Sequence, residues 1–209
     1  MSPCQGRTHW VLKDAVSAAD RVIVIDDIVR TVRMVREGWV GRTGSTVEAL
    51  KSICQQAGAS LVGVGAIIHN RLVEKELSFP LESIVQVSPP TASQPVDISP
   101  ALKQLTLPEV VAADVLTERV MQEGKVLPGN LLKVYSFINH QVDTGLMDMC
   151  GQLLARVFAG FGIQKVLTAQ TGGLPPAHAA SCLSIWICFG SPRGVNIQLC
   201  EEKGFQLVV

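Results

Sequence analysis

The sequence predicts an α/β fold, a mainly parallel sheet with flanking helices. Three observations carry this. The stretches 22–25 and 61–68 are near-continuous apolar runs, as in strands buried on both faces. A helical period joins them, giving strand, helix, strand across residues 21 to 68, a βαβ unit of right-handed type. A second α/β segment starts near residue 131.

Taken in order, residues 21–27 read as a buried strand ending in Asp26 and Asp27. Residues 46–57 read as a helix that Ser45 or Thr46 can cap. Its face is Val47, Leu50, Cys54 and Ala57, and Gly58 is placed to end it in a left-handed turn. Residues 60–68 form the next strand and 79–87 a further one. Five of the 11 prolines fall between 89 and 108, which reads as a linker, followed by a helix-like 109–124. "LLKVYSFINHQVD" (131–143) reads as loop or strand. Leu146, Cys150, Leu153, Val157 and Phe161 then mark a helix face, and 164–180 read as strand, glycine turn and helix start. The tail has no clear period; 183–189 are its candidate strand. The organisation is thus 1–87, a linker and helix over 88–116, a second α/β segment over 117–181, and a divergent tail over 182–209.

Composition bounds the function. A chain of 209 residues suits one domain or one with an appendage, and 47% hydrophobic with 5% aromatic residues implies an aliphatic core. Eighteen basic and eighteen acidic residues give zero net charge, which argues against nucleic acid as a partner. The cluster Arg30, Arg33, Arg36 and Arg42 reads as a solvated face. Mean hydropathy is +0.31, yet no apolar run nears the ~20 residues of a membrane span. The first ten residues lack the regions of a signal peptide. Six scattered cysteines without a CxxC pair fit buried thiols in a reducing cytosol, so a cytoplasmic location is expected. The four histidines are too dispersed for a metal cage.

Two motifs carry chemistry. Open α/β sheets bind ligands at the carboxyl ends of their strands. Asp26 and Asp27 there could accept hydrogen bonds from sugar hydroxyls or hold a divalent cation. Thr43, Gly44, Ser45 and Thr46 offer successive N–H groups, hydroxyls and a helix N-terminus, which suit a phosphate. Together they define a phosphoribosyl site. Read separately, the first only ends a strand and the second only caps a helix.

At these residues the chain resembles the type I phosphoribosyltransferases. "VIVIDDIV…TGSTVEALKSICQQAGASLVGVGAII" is similar to their phosphoribosyl-pyrophosphate signature. "LLKVYSFINHQVD…VLTAQTGGLPPA" resembles the N-terminal part of the bacterial xanthine phosphoribosyltransferase family. The resemblance implies a type I phosphoribosyltransferase-like, Rossmann-like fold, permuted or incomplete. It implies that Asp26 and Asp27 hold the ribose hydroxyls and that Thr43, Gly44, Ser45 and Thr46 hold the 5′-phosphate. Thr171, Gly172 and Gly173 would approach pyrophosphate, and Leu132 and Asn139 the base. It further implies phosphoribosyl pyrophosphate and a purine as substrates, Mg²⁺ with the former, and a homodimer in purine salvage.

Three departures accompany the resemblance. The family's C-terminal half comes first, which fits a circular permutation or a piece of two tandem copies. The family's mobile lid has no equivalent after Ala180, and its Glu-Lys pair after the "GVG" strand is replaced by His69 and Asn70. Finally, Thr43 stands 12 positions after Thr31, where the family's phosphate loop would begin (43 − 31 = 12). Removing those residues restores "IDDIVRTGSTVEAL". The insert is either a surface loop or uncorrected gene-model translation. A catalytically inactive, ligand-binding relative is therefore the alternative to an enzyme.

Overall fold

The computed structural model describes residues 9–12, 15–31, 45–71, 77, 79–88, 96–98, 107–127, 131–134, 136–138, 140–169, 172–181, 186–192 and 205–208. In chain order the strands are β1 (His9–Leu12), β2 (Arg21–Thr31), β3 (Ser60–Arg71), β4 (Leu81–Val87), β5 (Val96–Ile98), β6 (Lys125–Leu127), β7 (Leu131–Lys133), β8 (Lys165–Ala169), β9 (Trp186–Pro192) and β10 (Phe205–Val208). The helices are α1 (Ser45–Ala57), α2 (Leu107–Glu123), α3 (Thr144–Val157) and α4 (Leu174–Ser181).

The fold is of the expected class. Strands run in the order β10-β1-β9-β8-β2-β3-β4-β5, with β6 and β7 as a separate pair. The middle five, β9-β8-β2-β3-β4, are mutually parallel. Strand β5 adds antiparallel at one side; at the other β1 adds antiparallel to β9, and β10 antiparallel to β1.

Both faces of this sheet are covered, which explains the continuous apolar strands. Successive residues of β2 alternate between two cores. Val22 and Val24 join Val47, Leu50, Ile53 and Cys54 of α1. Ile23 and Ile25 join Leu116 of α2, Leu153 and Leu154 of α3, and Ala177 of α4. Each fully buried isoleucine or leucine stabilises the fold by about 1.5–3 kcal/mol. Cys54 and Cys150 are buried and outside any disulfide, as expected, and burial pushes the Cys150 thiol up to about 12.

Several boundaries differ from the sequence reading. Strand β2 continues past Asp27 to Thr31, because Ile28 and Val29 extend the apolar run and β3 pairs alongside as far as Arg71. The Pro-rich segment contributes a short strand, β5. Helix α3 stops at Val157; Phe161 lies beyond it, half exposed and edge-on to Phe158. Phe158 fills the core position instead. Helix α2 runs through residues 116 and 117. Gly58 has φ 70°, the left-handed turn its position predicts. The candidate tail strand appears as β9, parallel to β8.

At the amino edge of the sheet, an ion pair ties the two chain segments together. Lys165 Nζ, at the start of β8, lies 2.9 Å from Asp20 Oδ2, just before β2. Lys165 also donates to Ala15 O at 2.6 Å, and Ser17 donates to Asp20 from its N–H and its hydroxyl. Burial alone would raise the Asp20 pKa; the Lys165 and Ser17 hydrogen bonds outweigh it and hold the carboxyl below its usual range.

Candidate functional site

The strand order reverses between β8 and β2. From β8 the chain passes through α4 to β9 on one side; from β2 it leads through α1 to β3 on the other. Helices α4 and α1 pack on opposite faces. This is a topological switch point, and the crevice outside the carboxyl ends of two such strands is where open α/β sheets bind ligands.

Strand β8 ends at Ala169 while β2 continues beside it, so Asp26 and Asp27 sit at the mouth of this crevice. The pairing runs from Val22↔Lys165 to Ile25↔Thr168. Asp26 is buried and Asp27 is half-buried. Asp26 Oδ1 accepts from the Asp27 N–H at 3.1 Å, and Asp27 Oδ1 accepts from the Ile28 N–H at 2.8 Å. Each carboxylate is thus oriented by one oxygen held locally.

The glycine turn after β8 closes on these aspartates. A Cβ on Gly172 would overlap the Asp27 carboxylate, with Cγ only 2.6 Å away. On Gly173 it would lie 2.9 Å from Ile25 O and 3.3 Å from Asp26 Cα. Absent side chains therefore permit the turn to lie against the aspartate pair. Helix α4 starts at once, with Ala177 N donating to Gly173 O. Pro175 and Pro176 are tolerated in its first turn, where their missing N–H groups would have no helical partner.

Thr168 is a site-supporting residue that the sequence reading missed. Its buried Oγ1 donates to Ile25 O at 2.6 Å, cross-linking β8 to β2 directly beneath the glycine turn. The available signal was a lone hydroxyl inside the apolar run "VLTA".

Other candidates are placed less completely. Ser45 begins α1 and Thr46 stands half-buried in its first turn, while Thr43 and Gly44 lie outside the described residues, as does the insert. Because α1 ends at the turn leading into β3, its start lies toward the carboxyl edge, the side of Asp26. Leu132 is buried in the core with Phe137 and Ile138; Asn139 and Thr171 lie outside the described residues. His69 and Asn70 are inside β3, with Asn70 fully buried. Burial, helped by the charge of Arg71, lowers the His69 pKa to about 4, so its imidazole is neutral at pH 7.

No protein-family model matches the chain. It is similar to curated xanthine phosphoribosyltransferases. With that of Lactobacillus delbrueckii subsp. bulgaricus it is 48% identical over 81 residues, 38% of this chain and 43% of the relative. With that of Listeria innocua it is 43% identical over 79 residues, 37% and 41% of the two chains. With that of Streptococcus gordonii it is 41% identical over 87 residues, 41% and 45%. The matches span less than half the length of these relatives. Over that shared part, and with a fold of the matching class, the chain is similar to the phosphoribosyltransferase family.

Proposed function

We propose that the chain is a phosphoribosyltransferase of purine salvage, transferring phosphoribosyl from phosphoribosyl pyrophosphate to xanthine or guanine with release of pyrophosphate. The observation that carries this is the contact between Asp27 and the Gly172–Gly173 turn at the β8/β2 switch point. Two carboxylates and a glycine turn from distant parts of the sequence meet there, which supports a ribose site beside a pyrophosphate site. The same neighbourhood supports a single domain with its halves in swapped order.

Each residue has a physical task in this reading. Asp26 and Asp27 accept hydrogen bonds from the ribose hydroxyls and fix the sugar. Thr43, Gly44, Ser45 and Thr46 surround the 5′-phosphate with N–H and hydroxyl donors at the α1 N-terminus. Thr171, Gly172 and Gly173 approach the pyrophosphate with backbone N–H groups. Leu132 packs beneath the base and Asn139 pairs with its edge. In the reaction a purine nitrogen bonds to ribosyl C1, the C1–O bond breaks, and its electron pair leaves with pyrophosphate. Positioning and electrostatic stabilisation carry such a step.

A carboxylate so near a pyrophosphate turn needs charge compensation. Among the described residues no group of three His, Cys, Asp or Glu side chains forms a metal cage. Asp26 and Asp27 would instead help to hold Mg²⁺ together with the bound substrate. When bound, the ion would supply neutralisation of the leaving group. The protein is proposed to act as a cytoplasmic homodimer; among the described residues no helix is long and apolar enough to cross a membrane.

One observation favours a second reading, a ligand-binding relative without activity: neutral His69 and buried Asn70 occupy the positions of the family's glutamate and lysine. Pyrophosphate release with xanthine, guanine and hypoxanthine, at saturating phosphoribosyl pyrophosphate and Mg²⁺, separates the two. Release with a purine supports the enzyme; binding of phosphoribosyl pyrophosphate without release with any purine supports the relative.

A further inference from the structure

We propose that Arg119 of α2 is a positioning residue for base recognition, holding both ends of the loop from Phe137 to Asp143. The role rests on the reading above that this segment meets a purine. The loop carries Asn139 and is closed at its base by a hydrogen bond from Asp143 N to Phe137 O, 3.1 Å long. At one end, the Arg119 guanidinium lies over the buried Phe137 ring, 5.2 Å from its centroid. At the other, Arg119 Nη1 donates to Asp143 Oδ2 at 3.2 Å. The second oxygen of that carboxylate, Oδ1, accepts from Leu146 N at 3.0 Å and caps α3. Asp143 therefore joins Arg119 to the start of α3. Glu123, one turn along α2, forms an ion pair with Arg119, 2.7 Å from Nε but without a hydrogen bond from that N–H.

Arginine suits this place and lysine does not. A planar guanidinium can lie on an aromatic face while an edge N–H bonds one carboxylate and its charge pairs with a second. An ammonium is a compact point charge without that flat face. Helix α2 thereby acquires a purpose. It precedes that segment in sequence and, through Leu116 and Val120, shares the core that holds Leu132, Phe137 and Ile138. Releasing either end of the loop would let residues 138–142 drift, and a drift of about 1 Å can cost about a hundredfold in rate.

The test compares Arg119→Met, Arg119→Lys and Asp143→Asn with the wild-type chain. Arg119→Met should raise KM for the purine at least about tenfold, leaving KM for phosphoribosyl pyrophosphate within about twofold. Hydrogen exchange of the amides of 138–146 should accelerate by at least about tenfold. Arg119→Lys should restore only a minority of the loss. Asp143→Asn keeps a capping side chain while weakening the Arg119 contact, so it should move purine KM in the same direction even where Arg119→Met folds poorly. Unchanged purine KM, or equal rises in both KM values, overturns the positioning role alone. Wild-type protein that binds phosphoribosyl pyrophosphate but neither binds nor uses any purine overturns the base-segment reading, and the role of Arg119 with it.

Discussion

Gly172 lies against Asp27 so closely that a Cβ there would sit 2.6 Å from the aspartate Cγ. The two residues are 145 positions apart in sequence (172 − 27 = 145), and β2 and β8 make them neighbours. Gly172→Ala should push the turn or the carboxylate aside. Activity should fall by about a hundredfold, the scale of a 1 Å misplacement, while stability falls by only about 1–3 kcal/mol. Pyrophosphate release and urea denaturation measure the two; equal wild-type rates would remove the contact from the mechanism.

Thr168→Val keeps the shape of the side chain and removes the hydroxyl bonded to Ile25 O. A buried carbonyl then loses a donor at the β8/β2 junction. Stability should drop by about 1–2 kcal/mol in urea denaturation. A change below about 0.3 kcal/mol would mean the bond contributes nothing net.

The Asp20–Lys165 pair makes stability depend on acid. The folded Asp20 carboxyl titrates below its ordinary value, so its contribution is full above the unfolded pKa of about 3.9 and disappears as pH falls through the folded one. Asp20→Asn should cost about 1–3 kcal/mol at pH 7. The gap from wild type should narrow as pH falls below about 4. Denaturation midpoints of both proteins across pH 2–7 check this; a gap independent of pH would assign the loss to packing.

His69 should stay neutral down to about pH 4. An unfolded histidine protonates near 6.5, so the unfolded state binds more protons between these values, and stability should decline as pH falls from 6.5 toward 4. His69→Gln should flatten that part of the stability curve. An NMR titration giving a midpoint near 6.5 would contradict the buried, Arg71-influenced environment.

Much of the fold was legible because it is written locally. Val22–Ile25 and 61–68 needed no alternation, since helices cover both sheet faces, and Gly58 announced the turn between α1 and β3. Asp26, Asp27, Gly172 and Gly173 were legible as residue types in motifs. Their contact was not, because parallel pairing leaves no short-range turn signal to fix which strands meet. The continuation of β2 to Thr31 depends on β3 running alongside, and β1 depends on β10 nearly two hundred residues away. Arg119 carries no local sequence signal; its meaning appears only with Phe137 and Asp143 around it.

The proposed phosphoribosyl site lies at the junction of β2 and β8. Calorimetric titration of phosphoribosyl pyrophosphate with Mg²⁺ into wild type, Asp27→Asn and Gly172→Ala tests it most directly. One binding event per chain is expected in wild type, weakened by about tenfold or more in each variant, although the substitutions lie in opposite halves of the sequence. No binding heat from the wild-type chain, or unchanged affinity in both variants, would contradict it.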